Sequence, residues 1–239
     1  MTVTELLSAF ALPHALMGTV ALVTFWTAAF AKKGSPLHRL VGRTYLLAMI
    51  GVLATAIPLA LSQALQGQWV GATFLAYLVI LVAYACRSAW TAIRWKHDFA
   101  RYTGTGLRVS AALLTAAGLA VTALGVAFGA WLLIIFGLIG PLSALGARSL
   151  IRNGPQSPRW WLKEHYGAMI ANGVATHIAF LQIGLIRLLP DLGTGMVQNL
   201  AWFGPLALSV VAARWLNRRY MRPRSMQAAP AASAPVRRV

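Results

Sequence analysis

Acidic side chains are almost missing from this chain: 4 of its 239 residues are Asp or Glu, against 21 Lys and Arg, for a formal net charge of +17. The long apolar stretches contain none of the four. That removes the carboxylate at depth on which proton relays, ion-coupled carriers and intramembrane hydrolases usually depend. Cysteine is as scarce. A single residue, Cys86, excludes an intramolecular disulfide and any cysteine-based zinc or iron–sulfur centre within one chain. No P-loop, H-E-x-x-H helix or G-x-S-x-G elbow occurs, and the last apolar stretch lacks the lysine that a retinal protein needs. Gly104 and Gly106 belong to a loop before a helix, not to a nucleotide fingerprint. Charge of either sign is only 10% of the chain, against about 25% in soluble domains.

Apolar residues take that place. They make up 59% of the sequence, where about 45–50% is usual, and the mean hydropathy is +0.67. A water-soluble globule of this size could not cover itself with polar groups, so the chain reads as an all-α, polytopic membrane protein. Crossing about 30 Å of hydrocarbon takes about 20 apolar residues in a helix. Residues 6–31 supply one span. Residues 44–86 supply two, divided by the polar turn at 62–68, and 109–147 two more, divided near Gly129. Residues 165–186 and 192–213 complete a bundle of seven helices.

Basic residues orient the bundle. Segments 32–43, 87–108 and 148–164 and the C-terminal tail hold 20 of the 21, and the alternate loops hold only Arg187. Positive charge collects on the cytoplasmic side, which predicts an external N-terminus and a cytoplasmic C-terminus in a bacterial cytoplasmic membrane. On a soluble chain such a charge would suggest nucleic acid; between apolar runs its partners are anionic lipid headgroups, worth about 1 kcal/mol per exposed basic residue. The N-terminus lacks the basic region and cleavage site of a signal peptide, so the first helix is expected to be retained. Residues 1–220 form the transmembrane domain in this reading. Residues 221–239 form a basic, Ala/Pro-rich tail whose composition predicts disorder. Trp69, Trp131 and Trp202 fall near outer helix ends and Trp90, Trp95, Trp160, Trp161 and Trp215 near inner ones, as interfacial belts.

Histidine is the chemistry that remains. His38 and His165 stand at the cytoplasmic starts of two spans, His14 near the outer end of the first, and His177 near mid-bilayer. Neutral imidazole is a good axial ligand for haem iron, and such ligands project inward between bundle helices. His38 with His165 meets the requirement for similar depth; His14 with His177 meets it only loosely. Gly18 and Gly173 share a helix face with His14 and His177, where small residues admit either a macrocycle or a neighbouring helix. Asn172 and Thr176 extend the face of His165. Each histidine also has a structural alternative. His38 could cap its helix and meet lipid phosphate, His165 pair with Glu164 and Lys163, and His14 and His177 hydrogen-bond between helices. His97 is a solvated loop residue.

Two segments carry a resemblance. His14-Ala-Leu-Met-Gly18 followed by Lys33-Gly-Ser-Pro-Leu-His38-Arg39-Leu-Val-Gly42-Arg43 is similar to H-x-x-x-G and K-G-x-x-H-R-x-x-G-R of a bacterial multi-pass membrane family without a settled activity. Trp160-Trp161 through His165 to Met169, and Ala175 to Phe180, resemble that family's W-W-x-x-x-H-x-x-A-M and A-T-x-x-A-F patterns. The likeness covers roughly residues 10–95 and 159–182 and puts His14, His38 and His165, but not His177, at motif positions. A remoter likeness is to transmembrane b-type cytochromes, whose four-histidine arrangement is not reproduced. Two functions stay open. One is a redox protein with haem b on His38 and His165, or on His14 and His177 as a second pair, exchanging electrons with quinone or a partner protein. Arg39 and Arg43 would then meet propionates or a quinone headgroup. The other is a cofactor-free carrier of small solutes or lipids, or an accessory subunit, with Arg39 and Arg43 on lipid phosphate.

Overall fold

The computed structural model describes residues 3–188 and 194–221. Every regular element among them is helical: α1 (Val3–Phe30), α2 (Pro36–Leu65), α3 (Trp69–Arg94), α4 (Phe99–Tyr102), α5 (Thr105–Ala127), α6 (Trp131–Asn153), α7 (Trp160–Leu188) and α8 (Thr194–Tyr220). The protein is a polytopic helical membrane bundle of seven long helices with one short turn, α4, inserted before α5. The expected disordered tail lies outside the described residues from 222 onward.

Among the described residues, six helical segments are long and apolar enough to cross a membrane: Ala9–Phe30, Pro36–Leu65, Trp69–Arg94, Phe99–Ala127, Trp131–Asn153 and Gly195–Tyr220. Helix α7 is 29 residues long and carries His165, Asn172, His177 and Gln182 along its length. Neighbouring helices meet His165, Asn172 and His177, while the Gln182 Nε2 is buried without a hydrogen-bond partner among the described residues.

Local chemistry sets the ends. Ser35 caps α2, its Oγ accepting the His38 backbone N–H at 3.2 Å with Pro36 at the first helical position. The expected break at Gly129 is a turn between α5 and α6 with φ +63°, a conformation that glycine adopts without steric cost.

Sequence-adjacent helices form hairpins: α1 on α2, and α5 on α6. Helix α3 joins them, packing on α2, α5 and α7, and α7 in turn meets α1 and α8. The α5/α6 contact is a glycine seam. A Cβ on Gly118 would lie 2.5 Å from the Gly137 carbonyl oxygen, and one on Gly140 2.5 Å from that of Leu114. Backbones approach this closely only where the side chain is absent.

Three readings change at this level. Arg87 is not a loop residue: α3 continues to Arg94, which leaves Arg87 half-buried inside the bundle. Trp160 is 8% exposed and packs on Phe99 and Tyr102. Trp202 is wedged between Phe74 and Phe136. Both are core residues, whereas Trp69, Trp90, Trp131 and Trp215 are exposed as belt residues are.

Candidate functional site

The start of α2 folds back on the end of α1. There the last carbonyls of α1 lack helical partners, and two cationic-type side chains meet them. His38 places Nδ1 at 3.1 Å from the Ala28 carbonyl oxygen. Lys33 donates from Nζ to the same oxygen at 2.8 Å and to that of Ala29 at 2.6 Å. A carbonyl only accepts, so His38 donates from Nδ1, and Nε2 is turned away from α1. Partial withdrawal from water lowers the Lys33 pKa from its ordinary value.

His165, in the first turns of α7, has the same arrangement. Its Nδ1 lies 3.0 Å from the Ala89 carbonyl oxygen of α3, so it too donates from Nδ1 and presents Nε2. His38 and Lys33 are within electrostatic reach of the His165 ring. Two imidazoles from different helices are thus brought to one end of the bundle, each held by a backbone carbonyl. That is the outer hydrogen bond that fixes tautomer and ring orientation in imidazoles that bind iron or zinc. Beside His38 there is room: Gly42, one turn further along α2, has nothing within 4 Å of where its Cβ would be. Arg39 and Arg43 flank the same helix start and are exposed.

The second histidine pair is not brought together. His14 donates from Nδ1 to Thr55 Oγ1 at 3.0 Å, since the Thr55 hydroxyl is itself donating to the Gly51 carbonyl at 2.8 Å. His177 has both nitrogens engaged: Nδ1–H on the Gly173 carbonyl at 2.7 Å, and Nε2 accepting the Trp26 indole N–H at 3.0 Å. Trp26 lies 12 residues beyond His14 on α1, about 18 Å of helix rise. The glycines near these histidines receive aromatic rings from the facing helix, Phe180 at Gly18 and Phe25 at Gly173.

The polar face of α7 is an interhelical strip. Cys86 donates from Sγ to Asn172 Oδ1 at 3.1 Å, and Asn172 Nδ2 donates to the Ala168 carbonyl at 3.0 Å. Thr176 donates to the Asn172 carbonyl at 3.0 Å and stands 3.1 Å from the Tyr45 hydroxyl. Asn172 and Tyr45 are fully buried. The strip ties α7 to α3 and α2 through neutral hydrogen bonds, with no ionised group among its members.

Two charged residues take partners that the sequence reading did not assign. Glu164 does not pair with His165. It accepts from the Tyr102 hydroxyl at 3.1 Å, so the α3–α5 connection closes over the start of α7. The Arg87 guanidinium lies against Gly106, where a Cβ would be 2.6 Å from Nη2, and its Nη1 is buried without a hydrogen-bond partner among the described residues. The available signal was the continuation of helical spacing past Cys86, with Tyr84, Arg87 and Ser88 on adjoining positions of one turn.

Among the described residues, no three His, Cys, Asp or Glu side chains gather as a metal site. Haem asks less of the protein, because the macrocycle supplies the equatorial nitrogens and two imidazoles complete the iron. No family model, curated protein or solved structure matches the chain.

Proposed function

We propose that the protein is a redox protein of a bacterial cytoplasmic membrane, binding haem b between His38 and His165 and exchanging electrons with quinone or a partner protein. The observation that supports this reading is the shared geometry of the two imidazoles, each with Nδ1–H on a backbone carbonyl and Nε2 left to bind. Haem would supply a one-electron centre. The chain's own part is to fix both rings from α1 and α3, to keep space beside Gly42, and to offer Arg39 and Arg43 as partners for carboxylates. In the proposed orientation this basic end faces the cytoplasm.

The test is a dithionite-reduced minus oxidised spectrum of the purified protein, expressed with ample haem supply, with haem counted per chain. Near one haem per chain is expected, lost in both His38→Ala and His165→Ala and kept in His14→Ala and His177→Ala. Equal haem in all four variants overturns the assignment.

One observation favours a second reading. The His38 and Lys33 hydrogen bonds satisfy the end of α1 and need no cofactor for that role. The protein is then a cofactor-free carrier of small solutes or lipids, or an accessory subunit of a complex. A flat spectrum from well-folded protein selects this reading.

A further inference from the structure

Helices α5 and α6 close along their glycine seam and then part towards the basic end. Between them lies a groove of about 270 Å³ lined by Arg108, Ala111, Ala144, Ala147, Arg148 and Ile151. None of these residues belongs to the histidine site. The floor is firm: Ala111 and Ala147 are buried, backed by Tyr102, Leu107 and Trp160. Alanine at three lining positions keeps open a channel that Leu or Phe would fill.

Among the described residues, no carboxylate pairs with the charges in this groove. Arg108 and Arg148 are exposed guanidiniums on opposite helices of one groove, and like charges placed so repel. Arg108 donates from Nε to the Thr103 carbonyl at 3.3 Å, which steadies the side chain and leaves its terminal N–H groups without a partner among the described residues. The two acidic side chains described at this end are already in use. Asp98 caps α4 through the Arg101 N–H at 2.9 Å, and Glu164 accepts from Tyr102. A bound anion would relieve the repulsion, and an apolar floor leading into the hydrocarbon depth of α5 and α6 suits an acyl chain.

We propose that this groove binds an anionic phospholipid, its phosphate between Arg108 and Arg148 and one acyl chain along Ala111, Ala144 and Ala147. Guanidinium forks match phosphate oxygens two at a time, and basic recesses between membrane helices hold lipid headgroups in this way. The site is independent of haem and stands or falls apart from the histidine assignment.

The experiment is native mass spectrometry of the full-length protein in detergent, titrated with dioleoyl phosphatidylglycerol, with dioleoyl phosphatidylcholine, and with inorganic phosphate as competitor. One tightly held phosphatidylglycerol per chain is expected, and no tightly held phosphatidylcholine. The double variant Arg108→Gln/Arg148→Gln should bind it about thirtyfold more weakly, from two charges near the headgroup. Ala144→Leu, which fills the floor and keeps both charges, should also release the lipid, and it decides the matter if the double variant does not fold. Arg214→Gln/Arg218→Gln removes equal charge from α8 and should retain it. Unchanged binding in Ala144→Leu overturns the proposal. So does equal loss in the α8 variant, which would mean general attraction to a basic face. Displacement of the lipid by excess inorganic phosphate would make this a free-oxyanion site instead.

Discussion

Trp26 on α1 and His177 on α7 meet through the indole N–H, which the imidazole Nε2 accepts at 3.0 Å. The bond takes the lone pair that iron would need and leaves His177 as a neutral connector. His177→Ala is expected to leave any haem signal intact and to cost about 1 kcal/mol, the scale of an interhelical hydrogen bond in a membrane. Thermal aggregation in detergent checks the second part. Trp26→Phe should match His177→Ala, with a double mutant no worse than either.

Close approach of α5 and α6 makes the glycine seam intolerant. Gly118→Leu and Gly140→Leu should abolish monodisperse protein, since each side chain would have to enter the backbone of the facing helix. Gly146→Ala, with nothing within 4 Å of its Cβ, should elute unchanged on size-exclusion chromatography.

Gly106 gives the Arg87 guanidinium its place. Gly106→Val should eject it from between α3 and α5 and lower the melting temperature of the solubilised protein by several degrees. Arg87→Met at the same site should recover much of that loss, because an apolar chain of similar length needs no partner. If Gly106→Val melts as the parent does, Arg87 is not held there.

Tyr102 and Glu164 hold the α3–α5 connection to α7. Tyr102→Phe removes the hydrogen bond and leaves the ring, with an expected cost of about 1.5–3 kcal/mol for a charge-assisted bond. Limited proteolysis should then cut faster near residues 95–105, and Glu164→Gln, which keeps an acceptor, should resist cutting better than Glu164→Ala.

Cys86 is buried and donates to Asn172, so the sole thiol should resist maleimide in the folded protein and label at once in SDS. Cys86→Ser preserves the donor and should be tolerated; Cys86→Val leaves Asn172 Oδ1 without it and should destabilise by about 1 kcal/mol.

Hydropathy made the helices legible because lipid demands long apolar runs wherever the chain crosses. The turns at 62–68 and at Gly129 were legible for the converse reason. Side-chain partners were not. Whether His165 turns to Glu164 or to the Ala89 carbonyl depends on how α3 and α7 rotate against each other, and both choices leave the same local pattern. Trp160 and Trp202 failed as belt residues because position along a helix gives depth but not the face. Arg87 failed because a basic residue reads as the end of a span even where the helix runs on for two more turns. Similar depth for His38 and His165 followed from topology alone; the shared Nδ1 geometry needed the packing.

Helix α7 has consequences for how the protein is made. Its polar side chains meet Cys86 and Ala89 of α3, Tyr45 of α2 and Trp26 of α1. Those helices are synthesised earlier. The nascent N-terminal half is therefore a docking platform already in the bilayer when α7 emerges, and the polar face of α7 closes on it. Ribosome-bound chains lacking α2 and α3 should leave Cys86's partner Asn172 and Tyr45's partner Thr176 unpaired, so that α7 is extracted from the membrane more readily.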